Sequence, residues 1–141
     1  MRYLIAYVTA LLAMGVLDAL WLGVIAKDLY REALGHLLAD DVHIGAAVAF
    51  YLLYAGGVVV FATVPALKAA SAVRALGQGA LFGFFAYMTY DLTNLATLRD
   101  WPLRIVVIDI GWGAFLSACT AAAAYLAAAK WQTRASLKGP T

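Results

Sequence analysis

Apolar residues run along this chain in four long blocks, roughly residues 3–26, 44–67, 75–98 and 103–129, separated by short stretches that hold most of the charge. Each block approaches the ~20 residues an α-helix needs to cross a ~30 Å hydrocarbon layer. The blocks are continuous runs of Leu, Ala, Val and Phe, without the ~10-residue alternation of a membrane β-barrel, so backbone hydrogen bonding inside lipid predicts helices. The expected fold is all-α: a polytopic membrane protein built as a four-helix transmembrane bundle. Residues 1–129 form its four-span domain and 130–141 a basic cytoplasmic tail. Between the first two blocks, Leu29, Ala33, Leu34, Leu37 and Leu38 can share one side of a helix. They predict a short amphipathic segment on the external side, lying on the bilayer or capping the bundle, although Gly35 interrupts it.

Composition sharpens this picture. The chain has 141 residues, enough for one domain, and 13% of them are charged where a soluble domain carries about 25%. With 65% hydrophobic residues and a mean hydropathy of +0.86, an ordinary water-soluble domain is excluded. Arg2 ahead of an apolar run resembles the start of a signal peptide. That run continues through Trp21, Leu22 and Val24, past a ~7–15-residue signal core and without an Ala-x-Ala exit, so retention as the first span is expected. The single cysteine, Cys119, cannot form an intrachain disulfide and reads as a small apolar side chain of the fourth helix.

Charge sets an expected topology. Arg2, Lys68, Arg74, Lys130, Arg134 and Lys138 give six basic and no acidic residues at the N-terminus, second loop and C-terminal tail. The opposite side holds Lys27, Arg31, Arg99 and Arg104 against Asp28, Glu32, Asp40, Asp41 and Asp100. The bias of Lys and Arg therefore predicts both termini in the cytoplasm. Pro65 is expected to end or bend the second helix near its cytoplasmic end. Pro102 reads as a first-turn proline of the fourth helix, with Trp101 at the membrane interface.

Three carboxylates lie inside the apolar blocks, where an ionisable group is costly and points to function by default: Asp18, Asp91 and Asp109. Counting from Lys27, Arg99 and Arg104 at 1.5 Å per residue, all three fall roughly 8–14 Å from the external end. Helices of opposite direction thus bring three acids to one level. Tyr87, Tyr90, Asp91, Asn94 and Thr97 recur at three- and four-residue spacing on the third helix. Trp21 lies one turn outward from Asp18, Asp109 and Trp112 share a stripe of the fourth helix, and the Tyr51/Tyr54 pair and His43 can complete the wall from the second.

Like charges a few ångströms apart cannot all stay ionised, so this layer suits proton coupling, attraction of a cation or amine, or acid–base work on a membrane-soluble substrate. The candidate ligand- or proton-binding residues are Asp18, Trp21, Tyr54, Tyr87, Tyr90, Asp91, Asn94, Asp109 and Trp112. The plainer reading is that each acid hydrogen-bonds Asn94, Thr93, Tyr90 or an indole and locks the bundle. Gly79 and Gly83, Gly56 and Gly57, and Gly111 with Gly113 mark where helices can approach closely.

Other chemistry is thinly represented. His36, Asp40, Asp41 and His43 have ligand types for a divalent ion, but a solvated acidic loop is the simpler reading. There is no Gly-rich nucleotide loop, no Ser-His-Asp order and no Cys-rich metal pattern. No catalytic residue, metal or cofactor is therefore assigned. The basic tail suits anionic lipid better than nucleic acid. The expected partners are membrane lipids and a homo-oligomer or larger membrane complex. The leading expectation is binding or translocation of a small solute, proton or amphiphile at the Asp layer. An accessory subunit of a larger complex and a membrane-embedded enzyme acting on a lipid-soluble substrate stand as alternatives.

Longer motifs point to a family. Asp18-x-x-Trp21-Leu22-Gly23, Phe50-Tyr51-Leu52-Leu53-Tyr54, the block Ala86-Tyr87-Met88-Thr89-Tyr90-Asp91-Leu92-Thr93-Asn94-Leu95-Ala96-Thr97, Trp101-Pro102 and Asp109-x-x-Trp112-Gly113 cover about residues 2–128. Together they resemble the bacterial membrane-protein family numbered 2177 among domains of unknown function. That resemblance implies a four-span inner-membrane protein with signature positions Asp18, Trp21, Tyr54, Tyr87, Asp91, Asn94, Trp101, Asp109 and Trp112. It implies no activity or ligand.

Overall fold

In the computed structural model, which describes residues 1–137 and side chains as far as Ala135, each of the four apolar blocks is a long helix. The first is α1 (Arg2–Leu20), continued by a π-helical turn over Trp21–Ile25. A short helix, α2 (Lys27–Leu34), follows, with one 3₁₀ turn over Gly35–Leu37. The second block comprises α3 (Ile44–Val58), a π turn over Val59–Thr63 and α4 (Val64–Lys68). The third is α5 (Ala72–Thr97) and the fourth α6 (Leu103–Leu137). Among the described residues there is no strand.

Pro65 does not end the second block. The π turn immediately before it shifts the hydrogen-bond register, the Val64 amide bonding to the Val59 carbonyl, and the helix runs on for another turn. It then stops in a Schellman-type cap: Ala70 takes φ 50°, and the Ser71 amide returns to the Ala66 carbonyl at 3.1 Å. Ser71 opens α5 at once, its hydroxyl accepting from the Arg74 amide at 3.2 Å. The turn between α5 and α6 is equally tight, with Asp100 at φ 57°, a conformation Asp tolerates better than most residues. Helix α6 continues through Lys130 and Arg134, positions expected in the tail; Lys138 lies outside the described residues.

Helix α6 is the spine. It packs along α5 on one side and α1 on the other, and the α3–α4 unit closes the square by touching α1 and α5. The Arg2 guanidinium donates to Gln132 Oε1 at 3.1 Å, so the start of α1 and the far part of α6 lie at the same end of the bundle.

The interior is made mostly of small residues: Ala6, Ala10, Ala55, Ala62, Ala66, Ala75, Ala121, Ala124 and Ala128 are all buried, with Met14, Val58, Ile105 and Leu116 among them. Large apolar side chains, among them Leu12, Val16, Leu53, Leu81 and Val107, point outward. Small inside and large outside is the reverse of a water-soluble core. It follows when lipid is the solvent, since burying a Leu gains nothing there and close backbone approach does. At Gly83, a Cβ would collide with the Gly113 carbonyl and the Ser117 hydroxyl, and at Gly79 with the Ser117 carbonyl oxygen at 2.5 Å. Gly111, by contrast, has open space around it, so the close approach expected there belongs to Gly113, which lies against the Tyr87 ring.

Three helices are long and apolar enough to cross a membrane: Arg2–Ile25, Ile44–Lys68 and Leu103–Ala135. Helix α5, 26 residues and about 39 Å long, has the length but a more polar composition. Much of that polarity is internalised. The hydroxyls of Thr89, Thr93 and Thr97 each donate to the carbonyl four residues back, at 2.6–2.7 Å, along an exposed stripe.

Candidate functional site

The three acids sit where helix periodicity puts them. On α1, Ala6, Ala10, Met14 and Asp18 are buried at every fourth position. On α5 the stripe is Ala75, Gly79, Gly83, Tyr87 and Asp91; on α6 it is Ile105, Asp109, Gly113, Ser117 and Ala121. Each Asp extends the seam of small residues by which its helix packs against a neighbour. Exposure falls to 4%, 0% and 8% for Asp18, Asp91 and Asp109, so all three are withdrawn from the outer surface.

Two of them belong to one network, two sets of hydrogen bonds joined by an indole stack. Trp112 Nε1 donates to Asp18 Oδ1 at 3.1 Å, tying α6 to α1. The Trp112 indole stacks on Trp21, with ring centroids 4.4 Å apart and planes within 6° of parallel. Trp21 Nε1 donates in turn to the Tyr30 hydroxyl at 3.2 Å, and that hydroxyl donates to Asp109 Oδ1. The Tyr51 hydroxyl also faces Asp18. Asp18, Trp21, Trp112 and Asp109 are therefore brought together, with Tyr30, which the sequence had not singled out, as the link to Asp109.

Asp91 stands apart from that network. Neither of its oxygens has a hydrogen-bond partner in the protein, although it is fully buried. The Trp101 indole faces it, its Nε1 likewise unpartnered. Trp101, expected as an interface anchor, is instead buried with Leu34, Ile105 and Val106 beneath α2.

Tyr54 and Tyr87 form an aromatic wall. Tyr54 shares a hydrogen bond of 2.8 Å with Ser117, and its ring meets Tyr87 edge-on at 6.2 Å. The Tyr87 hydroxyl is within electrostatic reach of both Asp18 and Asp91. Tyr90 and Asn94 are placed less centrally. Tyr90 is 57% exposed, packed edge-on against Trp101, and Asn94 is half-buried with no part in the network. His43 and Arg104 are exposed, so neither joins the wall. Among the described residues no three His, Cys, Asp or Glu side chains gather as a metal site.

Tyr30 was missed as a site residue. It lies four positions before the buried Leu34 on α2, and that spacing marks the inward face of the helix. The expected stripe is only half realised: Leu29, Ala33 and Leu34 pack inward, while Leu37 and Leu38 are 47% and 57% exposed because the helix gives way to a 3₁₀ turn at Gly35. Helix α2 thus caps the bundle and delivers a phenol to Asp109. Chemically, the site offers hydrogen-bonded carboxylates, a carboxyl group without a protein partner and several phenols, and among the described residues the buried charged side chains are all acidic.

An all-α bundle with small residues inside, large apolar residues outside and helices of membrane-crossing length is an integral membrane protein. The chain belongs to the family described as predicted membrane protein (DUF2177), whose model matches residues 3–126. No curated protein and no solved structure matches it.

Proposed function

We propose that this protein binds a small membrane-soluble molecule, or passes a small solute or proton, at the polar layer formed by Asp18, Asp91 and Asp109. The observation that carries the reading is Asp91, a wholly buried carboxyl group with neither oxygen hydrogen-bonded by the protein. Leaving such a group unsatisfied costs about 1–3 kcal/mol, more when charged, so a residue serving stability alone would be better apolar. A bound ligand or an exchanged proton compensates that cost. In this reading α5 crosses the membrane with the other three long helices, giving four spans. Both termini face the cytoplasm of a bacterial cell, on the side where six basic and no acidic residues of the loops and tail gather.

The test uses protein extracted into polymer nanodiscs without detergent. Solvent extraction and mass spectrometry should reveal a small molecule in stoichiometric amount, or pH-jump measurements in liposomes should show proton exchange. Asp91→Asn should abolish either signal while the protein stays folded. A folded Asp91→Asn variant that retains both behaviours removes the basis of the proposal.

A second reading, in which the acids tie helices together inside a larger complex, is favoured by the hydrogen bonds of Asp18 and Asp109, each of which joins different helices. It does not account for Asp91.

A further inference from the structure

A cleft of about 390 Å³ opens between α3 and α5, lined by Phe50, Tyr54, Ala86, Tyr87 and Tyr90. Four of these five residues are aromatic. Phe50 and Tyr90, 41% and 57% exposed, form the mouth, while the half-buried Tyr54 and Tyr87 form the inner wall. The Tyr54 ring meets Phe50 at 5.3 Å, tilted by 45°, and Tyr87 edge-on at 6.2 Å, so the rings that line the cleft brace one another. Phe50 and Tyr54 stand about 9 and 15 Å along α3 from Ile44, a depth that addresses acyl chains rather than headgroups.

The charge behind this wall has one sign. Asp18 and Asp91 are both within electrostatic reach of the Tyr87 hydroxyl, and Asp91 lies one turn along α5 with both oxygens unpartnered. No Lys or Arg is buried among the described residues. Aromatic faces present the negative side of their quadrupole, and carboxylates reinforce it. An anion would be repelled by both, and a neutral molecule would gain contact area only.

We propose that this cleft binds an organic cation bearing apolar substituents, an ammonium or phosphonium in class, with its charge against the faces of Tyr54 and Tyr87. Its apolar groups lie against Phe50, Tyr90 and the surrounding lipid. The inference rests on the internal-ligand reading above and names the chemistry of the ligand. A lipid's own trimethylammonium headgroup has the same chemistry; the depth of the cleft favours a free cation.

The experiment compares two ions of the same shape and opposite charge, tetraphenylphosphonium and tetraphenylborate, by equilibrium dialysis against loaded and empty nanodiscs of an uncharged galactolipid. Saturable binding of the phosphonium above the empty-disc level, without matching binding of the borate, is the expected result. Tyr54→Leu and Tyr87→Leu keep an apolar side chain at the inner wall but remove an aromatic face from beside the charge, and each, once shown to be folded, should weaken phosphonium binding by about 3- to 10-fold. Equal binding of the two ions, or binding of neither, overturns the cation assignment. So does phosphonium binding that both variants leave unchanged, since the ion would then sit elsewhere. Repeating the titration in phosphatidylcholine separates the sources: unchanged affinity supports a free cation, and weakened affinity supports headgroup occupancy of the same cationic site. The internal-ligand reading is judged separately, by the copurified molecule or proton exchange and its loss in Asp91→Asn, so the two can fail independently.

Discussion

The indoles of Trp21 and Trp112 stack face to face at 4.4 Å, and each sends its N–H toward a different acid: Trp112 directly to Asp18, Trp21 through Tyr30 to Asp109. Two carboxylates on separate helices are thereby joined through a single aromatic pair. Trp112→Phe keeps a ring for stacking and removes the donor, so Asp18 loses its indole partner. We expect a loss of about 1–3 kcal/mol in resistance to unfolding in mixed dodecylsulfate micelles. Pairing it with Asp18→Leu, which removes the acceptor, in a double-mutant cycle should show non-additivity; strictly additive effects would contradict the bond.

Asp91 should behave in the opposite way. Asp91 faces the Trp101 indole without a hydrogen bond, whereas Asp18 accepts one from Trp112, so Asp91→Leu should destabilise less than Asp18→Leu and stay within about 1 kcal/mol of the parent. Thermal unfolding of the two variants side by side decides the matter. A collapse of Asp91→Leu comparable to that of Asp18→Leu would assign Asp91 to structure.

Contact between α5 and α6 depends on bare backbone at particular positions. Gly83→Ala places a methyl group against the Gly113 carbonyl and the Ser117 hydroxyl, and should destabilise by about 1–3 kcal/mol through overpacking. Gly111→Ala, with nothing near its added carbon, should be neutral or stabilising, since Ala is the better helix former by roughly 1 kcal/mol. Equal effects at the two sites would mean that α5 and α6 do not meet along this seam.

The short helix α2 is held over the bundle by Leu34 and by the Tyr30 hydroxyl. Tyr30→Phe removes the hydroxyl and keeps the ring. Amide hydrogen exchange over residues 27–34 should accelerate several-fold while exchange in α6 stays slow, reporting local opening rather than global unfolding. Unchanged exchange in α2 would show that apolar packing alone holds it.

Apolar run length and the location of Lys and Arg made the all-α membrane architecture legible without coordinates. In lipid every backbone polar group must be satisfied within its own segment, and a run of this length leaves little choice. The burial of Asp18, Asp91 and Asp109 was legible too, because an ionisable side chain within an apolar helix turns toward the bundle interior. Their partners were not. Tyr30 reaches Asp109 across 79 positions of sequence and Trp112 reaches Asp18 across 94, contacts fixed by which face of α6 meets which neighbour.

Counting residues thus determined that three acids lie within the apolar blocks. Only the packing decided that Asp18 and Asp109 are bound into an aromatic network while Asp91 is buried without a partner. The physical reason is that periodicity along one helix sets which side chains share a face, whereas the packing of α1 and α5 against α6 determines what each face meets.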